Sequence, residues 1–309
     1  MQRKAVGRLP HALLCCGPSG LGKQVFAERL AQALLCHSPG PDGSPCGLCR
    51  SCHLFLGGSH PDYIQVKPAE AGKPIKVDQV RELAVFMGYT SSGSSYKIAL
   101  LNPAERMNVN AANSLLKTLE EPPAGSLLLL VTATPARLPA TVRSRCQKLV
   151  LQAPTPPEAM AWLASVGVGS TDPALLLSLS GGAPLLARAY AETDCLARRR
   201  ELLSSYTEVI TGKADPITAA ELWVKGNMTE NLCWLIGWHM DMIRLKMAAA
   251  PPRLYNPDVQ AVLQRLSWSL SPQTLFRRLD AAIRMRELYT TQVNPQLMLE
   301  SFLADCASE

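Results

Sequence analysis

Apolar runs alternate with segments of helical periodicity over the first half of the chain. The apolar runs span residues 12–16, 62–66, 96–101, 126–132 and 148–151, and the helical segments span residues 21–35, 77–87 and 108–121. Strands that alternate with helices predict a parallel sheet covered by helices. The loops after the strands then gather at one edge of that sheet, where such folds bind their ligands.

From Pro154 onward the pattern is helical only. Short helical segments, interrupted by Gly181-Gly182, run to about residue 195, and longer segments follow. Asn256-Pro257, Ser271-Pro272 and Asn294-Pro295 each place a capping residue before a proline. This arrangement is typical of the first turn of a helix, so we expect helices to begin at these three points.

Large apolar side chains at helical spacing mark the helical part as packed. They include Trp223, Trp234, Trp238, Met240 and Leu245. We favour core packing between helices for these residues, and a ligand pocket is the alternative. The sequence thus predicts three domains, an α/β domain over residues 1–153, a small helical domain over residues 154–195 and an all-helical domain over residues 196–309.

The composition is that of a globular protein. With 309 residues, of which 47% are hydrophobic, the chain is long enough to bury the cores of two or three domains. The ten cysteines argue against a disulfide framework, and no stretch approaches 18 uncharged apolar residues, so we expect a cytoplasmic location. The formal charge of +6 is compatible with a nucleic-acid partner, but no lysine-rich tail supports one.

The loop after the first apolar run carries a phosphate-binding pattern. Residues Gly17-Pro18-Ser19-Gly20-Leu21-Gly22-Lys23 fit G-x-x-x-x-G-K between a strand and a helix. Glycines in this pattern let several backbone N–H groups converge on a phosphate, and the lysine adds a positive charge. Gly17, Gly20, Gly22 and Lys23 are therefore the candidate nucleotide-binding residues.

Two substitutions set this loop apart from an active ATPase site. The residue after Lys23 should be a serine or threonine that binds magnesium, and here it is Gln24, a poorer ligand. The strand at residues 96–101 should end in Asp-Glu, which would hold the metal shell and polarise water. It ends in Asn102-Pro103 instead, and Glu105 comes two positions late. We therefore expect weak ATP binding or none, and no intrinsic ATPase activity.

Four cysteines within residues 36–52 have metal-ligand spacing. They are Cys36, Cys46, Cys49 and Cys52, in the pattern C-x9-C-x2-C-x2-C. This pattern predicts one tetrahedral zinc ion with a structural role, because four thiolates leave no open position for catalysis. An iron–sulfur cluster is the alternative, although the C-P that usually follows is absent. His53 and His60 are weaker ligand candidates.

Several motifs occur together in an order that one protein family shares. The phosphate loop and the cysteine segment are followed by His60-Pro61-Asp62-Tyr63, by Asn113-Ser114-Leu115-Leu116-Lys117-Thr118-Leu119-Glu120-Glu121-Pro122-Pro123 and by Ser144-Arg145-Cys146. In this series the chain resembles the bacterial DNA polymerase III clamp-loader subunits, over its whole length and most strongly over residues 10–152. The resemblance implies an AAA+-type P-loop domain, a small helical lid domain and an all-helical collar domain for oligomerisation.

Within that family the chain resembles the subunit that is not a motor. The ATPase subunits, gamma and tau, have the serine or threonine and the Asp-Glu pair that this chain lacks. Their lid arginine is also missing, since the matching region reads Gly182-Ala183-Pro184-Leu185 and has no arginine until Arg188. The resemblance implies a rigid stator in a pentameric ring with gamma or tau and delta, which loads the sliding clamp on primer-template DNA within the DNA polymerase III holoenzyme. The alternative is an active ATPase motor in which Gln24 and Glu105 serve as improvised partners for metal and water.

The resemblance also gives Arg145 and the cysteines a role. In the family, the arginine of the Ser-Arg-Cys motif reaches into the ATP site of the neighbouring subunit, and it maps onto Arg145; the zinc-binding module maps onto the four cysteines. A planar, permanently charged guanidinium suits the charge that develops on a transferring phosphate. From the tripeptide alone, an arginine that is ion-paired on its own surface is the alternative.

Overall fold

The computed structural model describes residues 9–70, 73–168, 172–248, 254–289 and 293–308. The chain divides into two compact units, of which the first ends at Ala153 and the second begins at Pro154. The first is an α/β unit and the second is helical. The finer boundary near residue 195, between a lid and a collar, stays a prediction.

The α/β unit is built on a parallel sheet that has five strands among the described residues. They are β1 (Ala12–Cys16), β2 (Tyr63–Val66), β3 (Lys97–Leu101), β4 (Ser126–Thr132) and β5 (Gln147–Val150), in the spatial order β2-β3-β4-β1-β5. β1 lies between β4 and β5, with Leu13 opposite Leu129 on one side and Gln147 on the other. The predicted fold class, an α/β domain with a parallel sheet, is confirmed.

Helices cover both faces of the sheet. They are α1 (Lys23–Leu35), α2 (Arg50–Leu56), α3 (Val77–Gly88), α4 (Val109–Glu120) and α5 (Ala140–Arg145). On one face, Leu13 and Leu129 share a cluster with Leu34 of α1, and on the other, Leu14 shares a cluster with Leu115 of α4. Because both faces are covered, every residue of β1, β3 and β4 is buried, which explains their unbroken apolar runs.

The second unit consists of helices. Those described are α6 (Pro156–Val166), α7 (Pro173–Leu179), α8 (Pro184–Glu192), α9 (Cys195–Ile210), α10 (Pro216–Val224), α11 (Met228–Met247), α12 (Gln260–Ser269), α13 (Pro272–Leu288) and α14 (Pro295–Ala307). Ser271 and Asn294 cap α13 and α14 as predicted, since each side chain accepts a hydrogen bond from a first-turn N–H. Asn256-Pro257 instead opens a 3-10 turn, and the Asn256 side chain donates to Asp241 at 2.8 Å rather than capping a helix.

The tryptophans of the second unit are core residues. Trp223 and Trp238 are fully buried, with ring centroids 5.9 Å apart in an edge-to-face arrangement, and Tyr206 packs against both. These contacts agree with the interpretation of core packing. The same apolar cluster includes Leu163 of α6 and Leu303 of α14, so residues on both sides of the predicted lid boundary share one core.

One histidine is buried in this core. The Tyr206 hydroxyl lies 2.9 Å from His239 Nε2, and His239 Nδ1 lies 2.8 Å from the Leu235 carbonyl oxygen. Since a carbonyl only accepts, Nδ1 carries the proton and the Tyr206 hydroxyl donates to Nε2. Burial lowers the pKa of His239 to about 4, so the ring is neutral in the folded protein near pH 7.

Within the described ranges, no helix taken alone has both the length and the apolar composition to cross a membrane. The short helices α7 and α8 meet that test only as a pair, and the pair is bent by 115°.

Candidate functional site

The loop between β1 and α1 has the backbone that a phosphate loop requires. Gly20 and Gly22 are left-handed, with φ of 77° and 78°. A Cβ added at Gly17, where φ is 152°, would lie 2.4 Å from the Leu151 carbonyl oxygen, so a larger residue does not fit. Gly22 gives α1 no capping side chain, which leaves the first-turn N–H groups to an anion.

Lys23 closes the loop. Its side chain is 7% exposed, and its Nζ donates to the Pro18 carbonyl oxygen at 2.6 Å. Burial lowers the pKa of Lys23, and the negative charge of nearby Glu105 acts against that shift. An ammonium has three donors, so Lys23 can bind a phosphate as well. Phosphate binding by Gly17, Gly20, Gly22 and Lys23 stays a prediction.

The two residues that replace metal-binding groups contact each other. Asn102 Nδ2 donates to Gln24 Oε1 at 2.8 Å, so two neutral amides are bonded directly at the sequence positions of a hydroxyl and an aspartate. Gln24 Nε2 donates in turn to Glu28 Oε1 at 2.8 Å, and Gln65 Nε2 reaches the same oxygen at 3.3 Å. We call these four side chains the amide brace, and they join β2 and the end of β3 to α1.

Glu105 lies closer to the loop than its sequence position suggests. A 3-10 turn (Ala104–Arg106) follows β3 and brings Glu105 near enough to Lys23 for their charges to interact. Glu105 Oε1 accepts a hydrogen bond from Ala133 N at 3.1 Å, just beyond β4. Its Oε2 is buried and has no hydrogen-bond partner within the described part of the chain. Motif spacing placed this carboxylate two positions too late to take part, because the spacing does not show that a turn follows the strand and sets its place.

The four predicted cysteine ligands meet at one point. Their Sγ atoms all lie within 4.8 Å of one another, with separations of 3.5 Å for Cys36–Cys46, 3.9 Å for Cys36–Cys49 and 4.0 Å for Cys46–Cys52. Four thiolates bound to one zinc ion at about 2.3 Å would be about 3.8 Å apart. The sulfurs therefore fit a single tetrahedral metal ion and are too close together to surround a cluster of several iron and sulfide ions.

Backbone N–H groups point at three of these sulfurs. Cys49 N donates to Cys46 Sγ at 3.3 Å, Cys52 N donates to Cys49 Sγ at 3.4 Å, and Cys46 N donates to Cys36 Sγ at 3.4 Å. Burial opposes ionisation of Cys49, but the N–H groups of Cys52 and His37 outweigh it and lower the pKa of Cys49 to about 6. The site is therefore arranged to favour at least one thiolate, the form that binds metals.

His60 anchors the cysteine segment and is not a metal ligand. The Ser51 hydroxyl donates to the Leu35 carbonyl oxygen at 2.7 Å and lies 2.9 Å from His60 Nε2. His60 Nδ1 accepts from Asp62 N at 3.0 Å, so Nε2 carries the proton and donates to Ser51. Both ring nitrogens are thus used to join α2 to α1 and to the residues before β2. His53, the other weaker ligand candidate, is exposed and lies outside the group of four sulfurs.

Arg145 ends α5 and is held at two points. Its Nη1 donates to the Thr141 carbonyl oxygen at 3.0 Å, and its Nη2 donates to Glu120 Oε1 at 2.5 Å. The side chains of Arg145 and Glu120 are 37% and 49% exposed. In the isolated chain the arginine is therefore paired on its own surface and remains accessible. The sequence carried one signal for Glu120, an acidic residue at a helix end, two positions before the first of two prolines.

The fold and the loop define the class of protein. A parallel sheet of order β2-β3-β4-β1-β5, a phosphate-type loop after β1 and a following helical unit are features of AAA+-type P-loop proteins. The sequence family described as "DNA polymerase III, delta subunit" matches residues 2–155, and the family described as "DNA polymerase III, delta subunit, C terminal" matches residues 193–307.

Individual relatives narrow this class. The DNA polymerase III subunit delta' of Pseudomonas aeruginosa is 35% identical over 302 residues, which cover 96% of this chain and 92% of the relative. That of Escherichia coli is 34% identical over 301 residues, covering 96% and 89%. The chain belongs to the DNA polymerase III delta prime subunit family, and the resemblance predicted from its motifs is confirmed. The subunit tau of Escherichia coli is 36% identical over 149 residues, covering only 48% of this chain and 23% of tau.

Proposed function

We propose that this chain is a non-motor subunit of a bacterial clamp loader, the assembly that places the sliding clamp on primer-template DNA. The amide brace carries the proposal, because Gln24 and Asn102 bond to each other at the positions where a motor subunit holds magnesium. Phosphoryl transfer needs a metal ion to neutralise the charge that develops on the phosphate, and neutral amides are poor ligands for that ion.

The proposed partners are the gamma or tau ATPase subunits and the delta subunit, in a pentameric ring in the cytoplasm. The relatives support this, since delta prime subunits match nearly the whole chain and tau matches about half of it. In such a ring the chain is the stator, whose own loop does not cycle with ATP. We assign assembly to the predicted collar, residues 196–309, whose helices have large apolar side chains.

The competing function is an active ATPase motor with Gln24 and Glu105 as metal and water partners. Gln24 already uses both amide atoms, one with Asn102 and one with Glu28. Glu105 is held through one oxygen by Ala133 N. The other oxygen of Glu105 would then have to bind magnesium, hold the metal shell and polarise water, which a motor subunit does with a hydroxyl, an aspartate and a glutamate. We therefore favour the non-motor role.

Arg145 is proposed to act in trans, as an arginine finger in the ATP site of a neighbouring subunit. Its exposure supports this role, and so does the small net contribution that its present contact makes to folding stability. An ion pair as exposed as Arg145–Glu120 contributes about 0–1 kcal/mol to stability, so the arginine is not committed to folding. A guanidinium still has three N–H donors after the bonds to Thr141 and Glu120.

Single-turnover ATP hydrolysis on reconstituted rings of verified stoichiometry tests this role. Arg145→Ala should preserve assembly and slow hydrolysis at the neighbouring site by roughly a thousandfold or more. Arg145→Lys should restore little, because an ammonium keeps the charge but loses the planar fork. Arg81→Ala is a matched control, since Arg81 forms an exposed ion pair with Asp78 at 3.1 Å, and it should leave the rate unchanged.

The surface-pair alternative makes a different forecast for the same rings. If Arg145 serves only its own chain, Arg145→Ala lowers folding stability or assembly and leaves the turnover of each assembled ring unchanged. Unchanged single-turnover kinetics would therefore end the trans-acting role.

For the four cysteines we propose one structural zinc ion that fixes residues 36–52. The Cys36–Cys46, Cys36–Cys49 and Cys46–Cys52 sulfur separations of 3.5–4.0 Å support it, because they bracket the spacing of about 3.8 Å around one tetrahedral zinc ion. The N–H···S contacts add support, since they favour the thiolate form. No catalytic step is assigned to the ion, because four thiolates would fill its coordination shell.

A further inference from the structure

We propose that Glu120 is a positioning residue for Arg145, which fixes the direction of the guanidinium before the neighbouring subunit's phosphate arrives. The inference rests on the trans-acting role proposed for Arg145. Glu120 itself touches no nucleotide and acts only through the arginine. The finger then depends on a residue of α4, outside the Ser-Arg-Cys motif.

The contacts of Arg145 define the orientation of its guanidinium. Nη1 is bonded within α5 to the Thr141 carbonyl oxygen at 3.0 Å, and Nη2 is bonded across to Glu120 of α4 at 2.5 Å. A planar fork with both terminal nitrogens anchored has little freedom to rotate. Three N–H donors remain, including Nε–H, and they can bind an incoming phosphate.

α4 holds the Glu120 carboxylate in a fixed place. Leu115 and Leu119 of this helix are buried in the core of the α/β unit, and α4 packs against α5. Pro122-Pro123 follow shortly after the helix, and a proline cannot continue it. Glu120 therefore acts as a rigid anchor for the arginine.

Folding stability does not explain an acid at this position. Glu120 is the last residue of α4, where the negative end of the helix dipole disfavours a carboxylate. An ion pair with both partners more than a third exposed adds little to stability. The neighbouring Glu121 has no ion pair within the described ranges, so the pairing is particular to Glu120.

An Arg145 side chain that is already ordered when it meets the neighbouring subunit's phosphate should raise the rate of hydrolysis. An unanchored arginine loses rotamer freedom when it reaches the phosphate, whereas an anchored one has lost it in advance. The whole rotamer entropy of an arginine side chain corresponds to about 30-fold in rate. Glu120→Ala should therefore slow single-turnover hydrolysis at the neighbouring site by up to about 30-fold, well short of the thousandfold expected for Arg145→Ala.

The test uses rings reconstituted with each variant and checked for equal assembly. Glu120→Gln keeps an oxygen that can accept the Nη2–H bond, so it should recover part of the rate. Glu121→Ala is the matched control, with an acid removed one residue further on, and should leave the rate unchanged. Glu120→Ala added to Arg145→Ala should cause no further loss, because Glu120 acts only through the arginine.

A second measurement reads the arginine directly in the isolated chain. Nitrogen-15 relaxation of the Arg145 Nε–H group should show faster motion in Glu120→Ala than in the native chain, and Glu121→Ala should match the native chain. A purely structural role for Glu120 would lower the melting temperature without changing this motion.

Three results overturn the proposal. The first is an unchanged or increased rate in Glu120→Ala rings, an increase meaning that the carboxylate withholds the arginine. The second is a further loss when Glu120→Ala is added to Arg145→Ala, and the third is unchanged Nε–H motion. Failure of the trans-acting role is seen separately, as an unchanged rate in Arg145→Ala rings, and it removes the positioning role with it.

Discussion

Replacing Cys49 with serine should release the metal and loosen the cysteine segment while the sheet stays intact. None of the fourteen residues 37–50 is buried, so this segment has no apolar core of its own. Its order depends on the sulfur cluster and on the Ser51–His60 contact at its end. A segment of this kind takes most of its folding free energy from the bound metal.

The size of the effect follows from the number of ligands. Structural zinc sites have apparent binding free energies of about 10–16 kcal/mol. If this free energy is shared equally by four thiolates, each contributes about 2.5–4 kcal/mol. The loss of one ligand then weakens metal binding by roughly two to three orders of magnitude in affinity. A serine hydroxyl at position 49 recovers little of this, because it is a harder ligand and is not ionised near pH 7.

Metal analysis and hydrogen exchange together measure this outcome. The native chain should contain one zinc ion, and Cys49→Ser should lose it to a chelator that the native chain resists. Exchange followed by mass spectrometry should then rise in residues 37–50 and stay unchanged in β1 and β4. Cys233→Ser is the matched control, because Cys233 is an exposed free cysteine outside the group of four, and it should change neither measurement.

Two findings would refute the assignment. One is a native chain that contains no metal, or that contains iron with sulfide. The other is exchange in residues 37–50 that does not change when a chelator has removed the metal, since the segment would then fold without it.

Three further predictions concern ATP, assembly and pH. The purified chain should release no phosphate from ATP in the presence of magnesium, and turnover that disappears in Lys23→Ala would contradict the non-motor role. A chain truncated after Ala153 should stay folded by circular dichroism but fail to join the ATPase subunits in size-exclusion chromatography. The truncation is placed after Ala153 because a cut at residue 195 would divide one apolar core. Undiminished assembly would exclude the collar role. As the pH falls from about 6.5 to about 4, the free energy of unfolding of the helical unit should fall by roughly 3 kcal/mol, because the unfolded chain binds a proton that buried His239 does not. Denaturant titrations at several pH values should show a smaller fall in the free energy of unfolding for His239→Gln than for the native chain. An equal fall in both would show that another group is responsible.

The sheet could be predicted because its central strands are buried on both faces. Leu13 and Leu14 point to opposite clusters and are both apolar, so β1 reads as a continuous run rather than an alternating one. The short helices α2 and α5 were not predicted. They have six or seven residues and few buried side chains, and Leu56 at the end of α2 is 68% exposed, so hydrophobic periodicity gives no signal there.

The candidate sites could be predicted only where their residues are close in sequence. The C-x2-C-x2-C spacing predicted that Cys46, Cys49 and Cys52 converge, because such gaps let neighbouring sulfurs turn toward one ion. The contact between Gln24 and Asn102 spans 78 residues and depends on the crossovers between α1 and β3, which no local pattern specifies. The contact between Glu120 and Arg145 likewise needs α4 and α5 to pack together.

The amide brace has a consequence for the lifetime of the subunit in a starving cell. A ligand that binds only the folded state stabilises it, so a domain that binds magnesium and ATP loses protection from proteases when ATP runs low. Gln24, Asn102, Glu28 and Gln65 form their contacts from the polypeptide alone. The stability that these contacts give the subunit, and the resistance to degradation that goes with it, should therefore stay the same whether the nucleotide pool is full or depleted.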